Sequence, residues 1–358
     1  MQEVNINVPS KEKTYKISIG NFSSADFKSE LLGYIEDTSK ILIIISEKVN
    51  KLWGKEIIPQ SENFEIYKYV MKDGEKYKSF KTYTDIMKFA LQKGLARNDC
   101  IIAIGGGVVG DIAGFIASTY MRGIRLIQVP TTLLACVDSS VGGKTGIDTN
   151  FGKNLIGTFY HPYAVLINID FLKTLDNRQY KSGLAEIIKY AFIEKTCASG
   201  EFVNLMNFMN ENSEKINLRD KNLLETLICT CIKLKKSVVE KDELETNLRK
   251  ILNFGHTIAH ALEYYGNYKK YTHGEAVAQG MIYIFEKAHN LGLITENYKF
   301  SALEFIEKFG FKQIKLPPMK KLISIMQHDK KNINGKITFV LPKDFGEVII
   351  QQLDENEI

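Results

Sequence analysis

The sequence predicts an α/β half built on a mostly parallel sheet, followed by an all-α half. Three observations carry this. Through roughly the first 175 residues, short apolar runs of strand length alternate with helical patterns, the signature of a parallel sheet with helices on its faces. From Gly183 to about Phe309 the pattern is helical almost throughout. A glycine-rich turn, Gly105–Gly110, lies directly between a strand-like run and a helix-like one.

In chain order, Glu3–Pro9 and Lys13–Gly20 alternate apolar with polar residues across a short polar turn, which predicts a hairpin. Ile41–Ile45 is continuously apolar and suits a strand buried on both faces, as do Cys100–Ile104, Ile124–Val129 and Ala164–Ile169. Helical periodicity separates several of these, at Lys81–Gly94 and Val109–Tyr120. The second half reads as helices over Leu184–Ile193, Phe202–Met209, Leu223–Glu240, Ile251–Tyr265 and Glu275–Leu291. Lys336–Leu341 and Glu347–Gln351 then suit a closing hairpin. These elements place the domains at residues 1–175 and 176–358.

Composition removes several function classes. With 358 residues the chain has room for two cores, and a 44% hydrophobic, 25% charged make-up argues against wholesale disorder. The formal charge of +5 is spread along the chain without a basic tail or stripe, which argues against nucleic acid as a partner. Five cysteines with no C-x-x-C spacing argue against a disulfide framework and fit a reducing compartment. Neither a signal-like apolar segment at the start nor a membrane-length apolar run is present, so the expected location is the cytoplasm.

Candidate chemistry lies in four places. Gly105, Gly107 and Gly110 satisfy G-x-G-x-x-G, where missing Cβ atoms and a helix N-terminus let a backbone approach a pyrophosphate. No acid follows about twenty residues later, so the unit departs from the standard dinucleotide pattern. Gly142–Gly146 (GGKTG) resembles a truncated phosphate loop, but Asp138 stands where its first glycine belongs, which disfavours a triphosphatase. Three of the six histidines, His256, His260 and His273, fall within eighteen residues. His256 and His260 share a helix face at i, i+4, and His273 opens the next helix. Neutral imidazoles suit zinc, although spacing leaves open whether His260 is a ligand or a neighbour. His161, His289 and His328 read as ordinary histidines. Finally, Glu186 and Lys189 put a carboxylate and an amine on one face of an apolar helix, equally readable as an ion pair.

Together these segments resemble the dehydroquinate synthase family over nearly the whole chain and in collinear order. The matching strings are Asp73–Lys78 (DGEKYK), Gly105–Asp111 (GGGVVGD), Gln128–Leu133 (QVPTTL) and Asp138–Gly146 (DSSVGGKTG). They continue with Gly152–Gly157 (GKNLIG), Ala185–Lys189 (AEIIK), Leu252–Thr257 (LNFGHT) and His273–Ala276 (HGEA). The resemblance implies a Rossmann-like N-terminal domain, a helical C-terminal domain, an active site in the cleft between them, NAD as cofactor and a divalent metal, zinc or cobalt. Metal ligands map to Glu186, His256 and His273, which makes His260 a substrate-site residue. NAD contacts map to Asp73, Gly74, Glu75, Lys76, Tyr77 and Lys78, to Gly107, Val108, Val109, Gly110 and Asp111, to Thr131, Thr132, Lys144 and Lys153, and to Phe171, Leu172, Lys173 and Thr174. Substrate contacts map to Arg122, Asp138, Lys144, Asn154, Lys189, Lys235, Arg249, Asn253 and His260, with Lys330 or Lys331 adding a phosphate contact. Ser46–Lys48 departs from the family pattern near the adenosine.

The implied reaction turns the sugar phosphate 3-deoxy-D-arabino-heptulosonate 7-phosphate into 3-dehydroquinate and phosphate, within aromatic amino acid biosynthesis. Transient oxidation by NAD, phosphate elimination, re-reduction and an internal aldol closure make up the cycle. The family also implies a homodimer. The alternatives are another sugar phosphate cyclase, a metal-dependent polyol or glycerol-phosphate dehydrogenase with net NAD turnover, and a non-catalytic NAD-binding regulator. The basic residues Lys235 and Arg249 favour a carboxylate-bearing substrate over the first of these.

Overall fold

A computed structural model describes residues 13–60, 62–197, 202–327 and 336–358. Its first part holds β1 (Lys16–Gly20), α1 (Ser24–Gly33), β2 (Lys40–Ser46), α2 (Glu47–Ile57), β3 (Glu65–Met71), α3 (Phe80–Gln92), β4 (Cys100–Gly105) and α4 (Gly107–Thr119). Then come β5 (Arg125–Pro130), β6 (Lys144–Thr149), β7 (Gly152–Phe159) and β8 (Ala164–Asn168). Six strands form one parallel sheet in the order β1-β8-β5-β4-β2-β3.

The apolar runs became strands because both sheet faces are covered. In β2, Leu42 and Ile44 face a core shared with α3 and α4, while Ile41, Ile43 and Ile45 face another beneath α1 and α2. A strand buried on both faces has no polar side to show, so its sequence cannot alternate. β3 escaped the sequence reading because it is the sheet's edge, half-exposed and mixed in composition. α1 and α2 were also missed; each begins at a serine whose hydroxyl accepts a main-chain N–H, Ser23 from Asp26 and Ser46 from Val49. β1 pairs in parallel with β8, and the expected hairpin partner Glu3–Pro9 lies outside the described residues.

The strand order sets the place of the cleft. From β2 the chain moves outward to β3, then crosses back over β2 to β4 and continues to β5. The switch therefore lies between β2 and β4, and the carboxyl ends of such strands border the ligand crevice of open α/β sheets. β6 and β7 form a separate antiparallel hairpin packed on α4, so closely that a Cβ at Gly114 would lie 2.4 Å from Thr145 Cγ2. Within Gly142–Gly146, the segment that resembles a truncated phosphate loop, Lys144 begins β6. Gly146 and Gly157 face each other there, and a Cβ at Gly157 would fall 2.0 Å from Thr145 O.

The second part holds α5 (Asn177–Ile193), α6 (Leu205–Glu211), α7 (Ser213–Asn217), α8 (Lys221–Lys241), α9 (His256–Tyr265), α10 (His273–Asn290), α11 (Glu296–Lys308) and α12 (Met319–Gln327). It closes with the expected hairpin, β9 (Ile337–Asp344) against β10 (Glu347–Leu353). Most of α5 is buried, which makes it the central helix of this half. The single helix expected over Ile251–Tyr265 is two elements, a 3₁₀ turn at Leu248–Asn253 and then α9. Gly255 breaks it with φ +78°, and the reason is packing. Its carbonyl would lie 1.9 Å from a Cβ at Gly280, so the turn nests directly on α10. Among the described residues no helix is long and apolar enough to cross a membrane, and the five cysteines are free thiols.

Candidate active site

The two helices that carry the paired histidines begin at them. His256 is the first residue of α9 and His273 the first of α10, and both face Glu186 on α5. The first residues of two helices thus meet at a fully buried carboxylate. His256 Nε2 lies 3.6 Å and His273 Nε2 3.3 Å from Glu186 Oε1, and one donor atom from each of the three residues falls within 4.8 Å of the others. Each imidazole has its other nitrogen engaged: His256 Nδ1 is 3.1 Å from Phe254 O, and His273 Nδ1 is 3.4 Å from Glu263 Oε2. Neither oxygen of Glu186 accepts a hydrogen bond of good geometry, although Lys189 Nζ lies 2.5 Å from Oε2. A buried carboxylate with no well-formed hydrogen bond, beside two ring nitrogens held by their far sides, forms a donor set that fits a divalent cation.

Charge balance is tight here. Burial pulls the His256 imidazole down to about 3 despite the attraction of Glu186. Burial also opposes protonation of His273, but Glu186 and Glu263 on either side outweigh it and raise that group to about 10. Burial disfavours ionised Glu186, yet Lys189 and His256 hold it down at about 2.

Beside the triad runs a wall of cations. Lys235 Nζ donates to Asp138 O (2.6 Å) and Oδ1 (2.8 Å), and Tyr190 Oη donates to the same Oδ1 at 3.2 Å. Asp138 sits in a π-helical turn, Ala135–Ser139, which swings its carboxylate toward α5 and α8. Burial lowers the Lys235 ammonium, and Arg249 and Lys189 add like-charge repulsion against the pull of Asp138. Arg249, 1% exposed, donates to Gly142 O at 2.9 Å and to Glu243 O. Lys144 pairs with Glu245, whose other oxygen accepts from Asn253 Nδ2 at 2.6 Å. His260 lines the same cleft, with its ring edge-on to His256 at 5.6 Å between centroids.

The nucleotide side lies at the strand ends. α4 starts after Gly106 with no side-chain cap, leaving its first N–H groups turned to the cleft with Gly107, Val108 and Val109. Asp73, Gly74, Glu75, Lys78, Asp111, Thr131, Thr132, Lys153, Asn154, Phe171 and Thr174 line the same continuous cleft, of about 2130 Å³. Lys78 joins Asp111 (2.5 Å) to Asn154. The unusual Ser46–Lys48 segment is also at this wall, where the Lys48 main-chain N–H donates to Asp73 Oδ2 at 3.0 Å.

Several sequence candidates stand off the cleft. Gly110 is one: a Cβ there would meet Gln128 Oε1 at 2.8 Å, and Gln128 Nε2 donates to Gly110 O, so its missing Cβ makes room for β5. Arg122 is another. It follows α4 at the end opposite the cleft, about 20 Å from the helix start for a helix of thirteen residues. Leu172 is buried in the core, Lys173 pairs with Asp170 at the surface, Lys76 stacks over Tyr77, and Tyr77 packs against the α3–α4 core. His328, Lys330 and Lys331 lie outside the described residues. His161 meets Glu243 at 2.8 Å and His289 ends α10, both away from the triad. Sequence reasoning missed Glu245, Tyr190 and Glu263. Only Glu263 had a signal: it follows His256 by seven residues and shares its helix face.

A parallel sheet with a nucleotide-type crevice, facing helices that converge a Glu–His–His set, is the architecture of the sugar phosphate cyclases. A solved structure of 2-deoxy-scyllo-inosose synthase complexed with carbaglucose-6-phosphate, NAD+ and Co2+ superposes with a TM-score of 0.82 at 26% identity, covering 96% of this chain and 95% of that one. Residues 68–182 match the family model for the 3-dehydroquinate synthase N-terminal region, and residues 183–332 that for its C-terminal region. The 3-dehydroquinate synthase of Alkaliphilus metalliredigens is 44% identical over 97% of this chain and 94% of its own length. That of Dictyoglomus thermophilum is 43% identical over 100% and 97%. The chain belongs to the 3-dehydroquinate synthase family.

Proposed function

We propose that the protein converts 3-deoxy-D-arabino-heptulosonate 7-phosphate to 3-dehydroquinate and phosphate, as a phosphate-eliminating lyase of aromatic amino acid biosynthesis. The observation that carries this reading is the convergence of His256 and His273 on the buried Glu186, set against a wall of four cations, within a chain of this family. The inosose synthase is a more distant relative than the dehydroquinate synthases, which favours the latter's substrate over another cyclase's.

Glu186, His256 and His273 would hold a zinc or cobalt ion, and the crevice at Gly107–Val109 with Asp73–Lys78 would hold NAD. When bound, the metal supplies Lewis acidity for a substrate hydroxyl and NAD a reversible hydride acceptor. The chain's own residues do the rest. Lys144, Lys189, Lys235 and Arg249 bind and orient a doubly anionic substrate, and Asp138 keeps Lys235 aimed into the cleft. Asn253 and Asn154 offer amides to its hydroxyls. His260, open to the cleft, can take or return a proton at its ring nitrogen. Lys144 and Asn253 are held by Glu245 until an anion competes for them.

In this reading the division near residue 175 separates a nucleotide domain from a metal and substrate domain, and the enzyme works as a cytoplasmic homodimer. The test is to follow phosphate release and dehydroquinate formation together with catalytic NAD. Many turnovers per NAD without lasting NADH are expected. Stoichiometric accumulation of NADH would instead mark a polyol dehydrogenase.

A further inference from the structure

Glu263 belongs to none of the motifs, yet it sits directly behind one of the triad's histidines. Its side chain is only 5% exposed, and its two oxygens have different partners. Oε2 lies 3.4 Å from His273 Nδ1, and Oε1 lies 3.2 Å from Lys153 Nζ on β7. The same Lys153 Nζ is 3.0 Å from Glu75 Oε1, in the segment after β3. A line of alternating charge, Glu75–Lys153–Glu263–His273, therefore runs from the nucleotide side of the cleft to the imidazole that faces Glu186.

The two histidines are backed differently. Behind His256 is a neutral carbonyl, Phe254 O; behind His273 is a carboxylate. A carboxylate on one ring nitrogen of a ligating histidine keeps the proton there, turns the lone pair of the other nitrogen inward, and makes it a stronger donor. How strongly Glu263 does this depends on how much of its charge Lys153 takes.

We propose that Glu263 is a positioning residue of the metal centre, holding His273 with Nδ1 protonated and Nε2 aimed at Glu186, and that Lys153 links this support to the nucleotide side through Glu75. This rests on the reading of Glu186, His256 and His273 as metal ligands. If Glu263 served only as a structural ion pair, its loss would move stability and leave metal affinity alone.

The test uses the full chain stripped of metal and titrated with Co2+, whose visible absorption reports both affinity and coordination. A wild type that takes up no Co2+ overturns the ligand reading and this proposal together. If wild type binds, Glu263→Gln should weaken Co2+ by about 10–100-fold and change the absorption band, with the melting temperature of the metal-free protein little altered. Unchanged Co2+ affinity in Glu263→Gln overturns the proposal alone. Lys153→Met should also shift Co2+ affinity, and the two changes should be non-additive in the double variant; additivity overturns the link through Lys153. Should Glu263→Gln fail to fold, nitrogen NMR of the zinc-loaded wild type decides. His273 must then show a protected proton on Nδ1, and its absence would overturn the positioning role.

Discussion

Gly274 N–H donates to Ser182 Oγ at 2.9 Å, and a Cβ at position 274 would lie 2.2 Å from Ser182 O. This contact sets the register of α10 on α5 next to the triad, because Gly274 follows His273 and Ser182 precedes Glu186 by one helical turn. Gly274→Ala should force the helices apart. Overpacking against backbone costs about 1–3 kcal/mol, and a lowered midpoint in urea unfolding should show it. Metal retention after dialysis should fall in parallel; a variant with full stability and full metal content would contradict this account of the register.

Gly110 was read from sequence as clearance for a pyrophosphate, but its neighbour is Gln128. Gly110→Ala should push the Gln128 amide aside and lose its bond to Gly110 O, at a cost of about 1 kcal/mol. Nucleotide affinity should change far less than it does for Gly107→Val, at the helix start. Titration of both variants by intrinsic fluorescence separates the two glycines.

Asp148 has a pH signature of unusual sign. Burial pushes its carboxyl up to about 6, with Glu75 adding repulsion and Lys78 opposing. The unfolded chain gives up this proton near the ordinary value of 3.8, so between about pH 4 and 6 the folded state binds more protons. Stability from this group is therefore present below pH 4 and lost as pH rises toward 6. Asp148→Asn, which keeps an oxygen for the Asn154 N–H, should gain on wild type as pH rises through that window. Thermal melts from pH 4 to 7 would show the gap widening; a constant gap would refute the assignment.

Lys235 should matter to an anionic ligand more than to the nucleotide. It is 5% exposed and donates twice to Asp138 at the cleft wall. Removing one member of a buried, hydrogen-bonded charge pair typically costs about 2–5 kcal/mol of binding. Lys235→Ala should therefore weaken a non-eliminating phosphonate analogue of the substrate strongly, with NAD affinity nearly unchanged. Calorimetric titration of each ligand checks both halves of this statement.

Much of this protein was open to reading from residue order alone. Ile41–Ile45 and Cys100–Ile104 are apolar at every position, as strands covered on both faces require, and their alternation with helical patterns made the parallel sheet legible. His256 and His273 stood out by their spacing beside His260, whereas Glu186 read equally as an ion-pair partner of Lys189 and joined them only through the family resemblance. What periodicity could not convey was where the backbone must break or close up. The turn at Gly255 depends on Gly280, twenty-five residues later, and the hairpin of β6 and β7 depends on α4 lying beneath it. Gly110 matched a ligand-binding pattern, but its neighbour in space is a glutamine from another strand. Arg122 was mapped as a substrate contact through the resemblance, and a helix of thirteen residues places it at the end of α4 away from this chain's own cleft. Glu263 carried no motif, because a residue that acts by standing behind a ligand is constrained by its distance to that ligand rather than by its neighbours in sequence. Local order determined which residues could do chemistry, since side-chain type and helix or strand period are local properties. Long-range packing decided which of them meet, since helix register and close approach are set by contacts between segments far apart in the chain.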